Sequence, residues 1–167
     1  RGHDTEWQHG KAFCLVYHPG NERAALIQEA YNMFFAENAL NPSAFPSLRR
    51  FESEVVAMAA SLFNGGDSIE GTMSSGGTES ILLAVKTARE WAKTHKPEIK
   101  EPEVILPVSA HPAFQKAFHY FGIKGVNIPV GPDYRADMAA VRKAINPNTM
   151  LLVGSAPSDP HRVMDPI

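Results

Sequence analysis

Residues 71–80, Gly71-Thr72-Met73-Ser74-Ser75-Gly76-Gly77-Thr78-Glu79-Ser80, form a run of small and hydroxyl side chains that leads straight into the helical pattern Ile81-Leu82-Leu83-Ala84-Val85-Lys86-Thr87-Ala88. Two adjacent glycines at a helix start let backbone N–H groups close on an anion. No Cβ stands in the way, and the donors of a first helical turn have no intrahelical partners. Ser75 and Thr78 add hydroxyls on either side. The chemistry on offer is the cradling of a phosphate. The plain alternative is a flexible N-cap with Ser or Thr capping. A P-loop is excluded because no Gly-Lys-Ser/Thr follows, and the Gly-x-Gly-x-x-Gly dinucleotide fingerprint is absent as well. The phosphate therefore belongs to something other than an ordinary nucleotide.

Three further stretches accompany this turn. Asn38-Ala39-Leu40-Asn41-Pro42-Ser43-Ala44-Phe45-Pro46-Ser47-Leu48-Arg49-Arg50-Phe51-Glu52 precedes it, and Ser109-Ala110-His111-Pro112-Ala113-Phe114-Gln115-Lys116-Ala117 follows it. Gly154-Ser155-Ala156-Pro157 and Asp165-Pro166-Ile167 close the series. Taken together, their order and spacing resemble the pyridoxal-phosphate-dependent sphingosine-1-phosphate lyases, relatives of the group II amino-acid decarboxylases, over nearly the whole chain. The resemblance implies an α/β fold of the type I pyridoxal-phosphate kind, with a parallel-rich sheet flanked by helices. It implies that Ser75, Gly76, Gly77 and Thr78 hold the phosphate of pyridoxal 5'-phosphate and that His111 stacks on the pyridine ring. The competing reading of His111 is a helix-start histidine satisfied by backbone.

The resemblance also implies that residues 1–45 are an N-terminal segment contributing to the active site and to a homodimer, with 46–167 an incomplete cofactor-binding large domain. Tyr17, Asn38 and Asn41 fall where the family contacts the substrate phosphate. Asn41 departs from the family, which has histidine there, so it can donate a hydrogen bond but adds no charge. As turn and cap residues before prolines, Asn38 and Asn41 have an equally simple reading. Asp159 stands for an expected aromatic and Arg162 for an expected glycine. Asp165 is not the aspartate that pairs with the pyridine nitrogen, which in relatives lies on a later strand. The lysine that bonds the cofactor is expected beyond Ile167, so the catalytic residues are not in this chain.

The implied activity is carbon–carbon cleavage of a phosphorylated sphingoid base to a long-chain aldehyde and phosphoethanolamine. Two readings stand beside it: an amino-acid decarboxylase of the same fold, and a non-catalytic phosphate- or partner-binding module. The Phe45–Glu52 run and the Ser-Ala-Pro motif favour the lyase over the decarboxylase.

Positioning these residues requires helices and strands whose periodicities are legible. Phe51, Val55, Met58, Ala59 and Leu62 form one apolar stripe of a helix over about 46–63, stopped by Asn64-Gly65-Gly66. A second helix runs from Glu79 to about His95 and ends at Lys96-Pro97. Val104–Val108, Val126–Val130 and Met150–Gly154 read as buried strands. Helical patterns fall between them at Phe114, Ala117, Phe118 and Phe121, and at Met138, Val141, Ala144 and Ile145. Alternating strands and helices give a parallel sheet with right-handed crossovers. Its ligands sit at the carboxyl ends of the strands, where the glycine turn and His111 belong. A further helical pattern lies within 21–37.

Composition narrows the class. The chain has 167 residues, 44% of them hydrophobic, and a formal net charge of −2, so nothing biases it toward nucleic acid. No apolar run approaches the roughly 20 residues that span a bilayer, and a charged-then-apolar leader is not visible. The eukaryotic lyases carry a membrane anchor, so a bacterial-type cytoplasmic enzyme or a trimmed chain is expected. The one cysteine, Cys14, forms no internal disulfide and reads as a small core residue; seven scattered histidines make no metal set. Both ends look cut, and the interrupted sheet edge makes the piece poorly soluble by itself.

Overall fold

The computed structural model describes residues 2–12, 16–66, 68–159 and 161–167. Cys14 lies outside them. The chain divides into two compact units, Arg1–Met73 and Ser74–Ile167.

The first unit holds a short 3-10 turn (Trp7–His9) and two helices, α1 (Asn21–Met33) and α2 (Pro46–Leu62). Proline in the first turn of α2 suits a position whose N–H would be unpaired in any case. The helix stops as the sequence expects. Asn64 adopts a left-handed φ of 57°, Asn64 N–H reaches the Ser61 carbonyl at 3.1 Å, and Gly65 N–H reaches Ala60 at 2.8 Å. That pair of bonds is a Schellman ending, which satisfies carbonyls a helix terminus leaves open. An edge-to-face contact of 5.2 Å joins Phe34 to Phe51. The apolar stripe of α2 is uncovered all the same: none of its residues is buried, and Leu62 is 83% exposed. Periodicity locates an apolar face but does not supply what covers it.

The second unit is the α/β body. Its elements run α3 (Gly77–His95), β1 (Glu103–Pro107), α4 (Ala113–Phe121), β2 (Lys124–Ile128), α5 (Met138–Ala144) and β3 (Thr149–Leu152). The three strands form one parallel sheet in the order β2-β1-β3. Only the central strand is buried at every position. β2 and β3 were expected to be buried too, but they are largely half-exposed and each begins one or two residues earlier than the sequence pattern suggests. Both are edge strands of this sheet, with one flank unpaired, and that is the physical reason.

Val85 of α3, Val104 and Leu106 of β1, Ala117 and Phe118 of α4, and Ile123 make the core. Ile81, Leu82 and Ala110 pack against it. Residues at the start of α3 and the residue just before His111 therefore share one cluster. β2 lies on one side of β1 and β3 on the other, so the chain reverses its direction of winding after β2. With right-handed crossovers, α4 and α5 then fall on opposite faces, the arrangement in which open α/β sheets take ligands outside the carboxyl ends of their strands.

Candidate functional site

α3 begins without a side-chain cap. Its N-cap, Gly76, has φ 153° and ψ −179°, a conformation open essentially to glycine alone. A Cβ built on Gly76 or Gly77 meets nothing within 4 Å, so the space in front of the first-turn amides is open. A helix start of this kind leaves N–H groups pointing outward with the positive end of the helix dipole behind them. Ser75, Gly76, Gly77 and Thr78 are all exposed.

The turn is nevertheless braced from inside. Ser74 and Ser80 share a 2.6 Å hydroxyl hydrogen bond, and the Ser74 hydroxyl donates to the Gly76 carbonyl at 3.0 Å. Glu79 Oε2 accepts the Ser75 N–H at 2.6 Å, which resembles a capping box shifted outward by one residue. Hydrogen bonds from Ser75, side chain first and backbone second, hold the Glu79 carboxyl below its ordinary range. The brace fixes the turn by engaging the Ser75 amide and, at 3.4 Å from the Ser74 hydroxyl, the Gly76 amide, and none of these hydrogen bonds engages the amides of Gly77 and Thr78.

His111 sits four residues beyond β1, at the carboxyl end of the central strand. Its Nδ1 lies 3.1 Å from Ala113 N–H. A backbone amide can only donate, so Nδ1 is an acceptor and the proton of the neutral ring is on Nε2. The backbone contact anticipated as the simpler reading is therefore present. It orients the imidazole at the start of α4 without covering it, because His111 remains exposed. The hydroxyl of nearby Ser109 is buried and has no partner, a site of unmet hydrogen bonding beside His111 that sequence reasoning did not single out.

Tyr17, Asn38 and Asn41 belong to the first unit, whereas Ser75, Gly76, Gly77, Thr78 and His111 belong to the second. Tyr17 is 74% exposed. Asn38 Oδ1 accepts the Leu40 N–H at 3.1 Å. Asn41 Oδ1 accepts the N–H groups of Ser43 and Ala44 at 3.2 and 3.3 Å. Both asparagines thus build local turns through their carbonyl ends, and their NH₂ groups are left for other partners. Arg162, expected to replace a glycine, has φ 57°, the left-handed geometry a glycine would adopt freely. Asp159 lies 3.9 Å from its guanidinium.

Whether these residues suit pyridoxal phosphate can be judged on three features: an uncapped helix start with open space, an unpartnered buried hydroxyl next to His111, and an exposed imidazole face. All three suit a phosphate joined to a flat ring. Among the described residues no cluster of three or more His, Cys, Asp or Glu could hold a metal, and no helix is long and apolar enough to cross a membrane.

No family model matches the chain. Individual relatives do. It is 46% identical over 164 residues to sphingosine-1-phosphate lyase 1 of Mus musculus, a match covering 98% of this chain and 28% of the mouse protein. A solved structure of a sphingosine-1-phosphate lyase from Burkholderia pseudomallei K96243 superposes with a TM-score of 0.85 at 40% identity, covering 96% of this chain and 38% of that one. A probable L-tyrosine/L-aspartate decarboxylase of Methanothermobacter thermautotrophicus is 35% identical over 156 residues, 93% of this chain and 40% of its own length. The chain thus spans under a third of the mouse lyase, and the fold is that of the lyase with the 0.85 superposition.

Proposed function

We propose, from the homology of nearly the whole chain to sphingosine-1-phosphate lyases, that it forms the cofactor-phosphate-binding part of an enzyme that cleaves phosphorylated sphingoid bases to a long-chain aldehyde and phosphoethanolamine. The observation that carries the proposal is the uncapped start of α3 with Gly76 at φ 153°. Pyridoxal 5'-phosphate, when bound, supplies a ring that draws electrons from the substrate carbons. This chain's own contributions are binding and orientation.

The amides of Gly77 and Thr78, with the hydroxyls of Ser75 and Thr78, bind the cofactor phosphate. Glu79 and Ser74 hold that turn in shape. His111, fixed through Nδ1, presents a flat face to the ring and excludes water from it. Ser109 offers a buried hydroxyl to a polar atom of the bound group. Holding phosphate at one end and ring at the other fixes the bond to be broken against the ring system, and orientation of this kind supplies a large part of catalysis. Tyr17 and the NH₂ groups of Asn38 and Asn41 bind the substrate phosphate. With Asn at 41 that attraction carries no histidine titration.

The assembly we propose is a homodimer with the site at the subunit interface, in the cytoplasm. Incubating the full-length protein with pyridoxal phosphate and a phosphorylated sphingoid base, and following aldehyde and phosphoethanolamine by mass spectrometry, tests the reaction. Release of both products supports it. Carbon dioxide from tyrosine or aspartate, with no aldehyde from the sphingoid base, would instead favour the decarboxylase reading suggested by the archaeal relative.

A further inference from the structure

β2 and β3 flank β1, about 10 Å apart for strands spaced at about 4.8 Å. The loops that leave their carboxyl ends nevertheless meet. Asp165, 4% exposed, accepts the Ala136 N–H on Oδ1 at 2.9 Å and the Ser155 N–H on Oδ2 at 2.8 Å. One carboxylate thereby ties the loop after β2 to the loop after β3. A second tie is the stack of Tyr134 on His161, with centroids 4.3 Å apart and planes 10° from parallel.

This loop pair is also where the backbone is under strain. Three non-glycine residues among those described lie in the left-handed region: Asn64, Tyr134 and Arg162. Asn64 ends a helix and is of a type that tolerates the geometry. Tyr134 at φ 62° and Arg162 at φ 57° are not, and both belong to these two loops. The Ser158 hydroxyl of the same turn is 2% exposed as a residue and has no hydrogen-bond partner. Strained residues and unmet buried polar groups gather where a ligand is to be held. The loops stand at the carboxyl ends of the strands, on the edge to which β1 brings His111.

The surrounding charge indicates the kind of ligand. Arg135 and Arg162 each approach an aspartate, Asp133 and Asp159, only through Nε at 3.9 Å, which leaves the two-pronged ends of both guanidiniums uncommitted to those partners. Stacking covers a face of the His161 ring and not the edge that carries its nitrogens. An alkyl chain has nothing to gain from such a setting; an oxyanion has.

We propose that His161 is a specificity-determining residue that hydrogen-bonds an oxyanion of the substrate, with Tyr134 and Asp165 as positioning residues. The inference rests on the lyase reading given above, which supplies a phosphate ester as that oxyanion. The cofactor's own phosphate is the other possible source, and the two are separable by experiment.

In the full-length protein, wild type, His161→Ala, His161→Gln and Tyr134→Ala are compared in two titrations: phosphoethanolamine by calorimetry, with and without cofactor, and pyridoxal phosphate by visible absorbance. His161→Ala is expected to weaken phosphoethanolamine about tenfold or more, the loss typical of one hydrogen bond to a charged group. His161→Gln should recover most of that loss. Tyr134→Ala should follow His161→Ala, and pyridoxal phosphate affinity should hold in all. In turnover, KM should rise for His161→Ala with little change in kcat, a split that a general loss of structure would not give. Unchanged phosphoethanolamine affinity in a folded His161→Ala protein overturns the assignment, as does a His161→Gln protein that binds phosphoethanolamine no better than His161→Ala, or a loss confined to pyridoxal phosphate. Should wild type fail to take up pyridoxal phosphate yet bind phosphoethanolamine through His161, the lyase reading falls and this one stands.

Discussion

Gly76 carries more of the proposed chemistry than any side chain, because its φ of 153° aims the start of α3 outward. Substituting Gly76→Ala meets no atom within 4 Å, so any cost comes from backbone conformation, about 1–3 kcal/mol for a residue held in so sparse a region. We expect lower thermal stability and, more sharply, weaker pyridoxal phosphate binding in an absorbance titration. Arg162 presents the opposite case. Its left-handed backbone costs about 1–2 kcal/mol, part of which glycine returns as extra freedom of the unfolded chain, so Arg162→Gly should raise stability by about 0.5–1 kcal/mol in denaturant unfolding. The types of both residues were legible in the sequence. The two adjacent glycines pointed to a phosphate, and the arginine was marked as a departure. Ser109, Ser158 and the Asp165 clamp were not legible, because burial and hydrogen-bond partners of single hydroxyls and carboxylates depend on loops that no periodicity describes.

At the level of elements, α3, α4, α5 and three parallel strands follow from apolar spacing and the alternation of elements, with boundaries shifted by one or two residues, whereas the strand order β2-β1-β3 does not. What spacing did not carry was the difference between a central and an edge strand: β1, β2 and β3 have similar apolar runs, yet only β1 is buried throughout. Pairing partners decide burial, and they are remote in sequence. Close approach between elements is likewise hidden. A Cβ on Gly125 of β2 would lie 2.7 Å from two ring atoms of Phe118 on α4. Gly125→Ala should therefore overpack the helix against the strand and destabilise the fold by about 1–3 kcal/mol, read as a lowered midpoint in denaturant. Phe118 is buried, so the ring has little room to yield.

Across the whole second unit, the amino edge of the sheet is secured by charge and its carboxyl edge is left for ligands. Glu103, 5% exposed at the start of β1, accepts from Lys124 Nζ on β2 and from Asn146 Nδ2 ahead of β3, each at 2.7 Å. Those bonds hold its carboxyl below the ordinary range, Lys124 first and Asn146 second, while Glu103 raises Lys124 above its own. The signs set the pH dependence. The Glu103 contribution is present above the unfolded carboxyl value and is lost as pH falls through the depressed folded value. The Lys124 contribution is present below the unfolded lysine value and is lost as pH rises through the raised folded one. Glu103→Gln should flatten stability against pH on both limbs, as measured by urea unfolding across the range. The division of labour between the two edges was partly visible beforehand, since parallel strands place ligands at their carboxyl ends, whereas the Glu103 staple joins residues 21 and 43 positions apart. The most direct test of the central claim is a crystal structure of the full-length protein with pyridoxal 5'-phosphate. Phosphate oxygens within hydrogen-bonding distance of the Gly77 and Thr78 amides, with His111 against the ring, are the predicted result; a phosphate bound away from the start of α3 would contradict it.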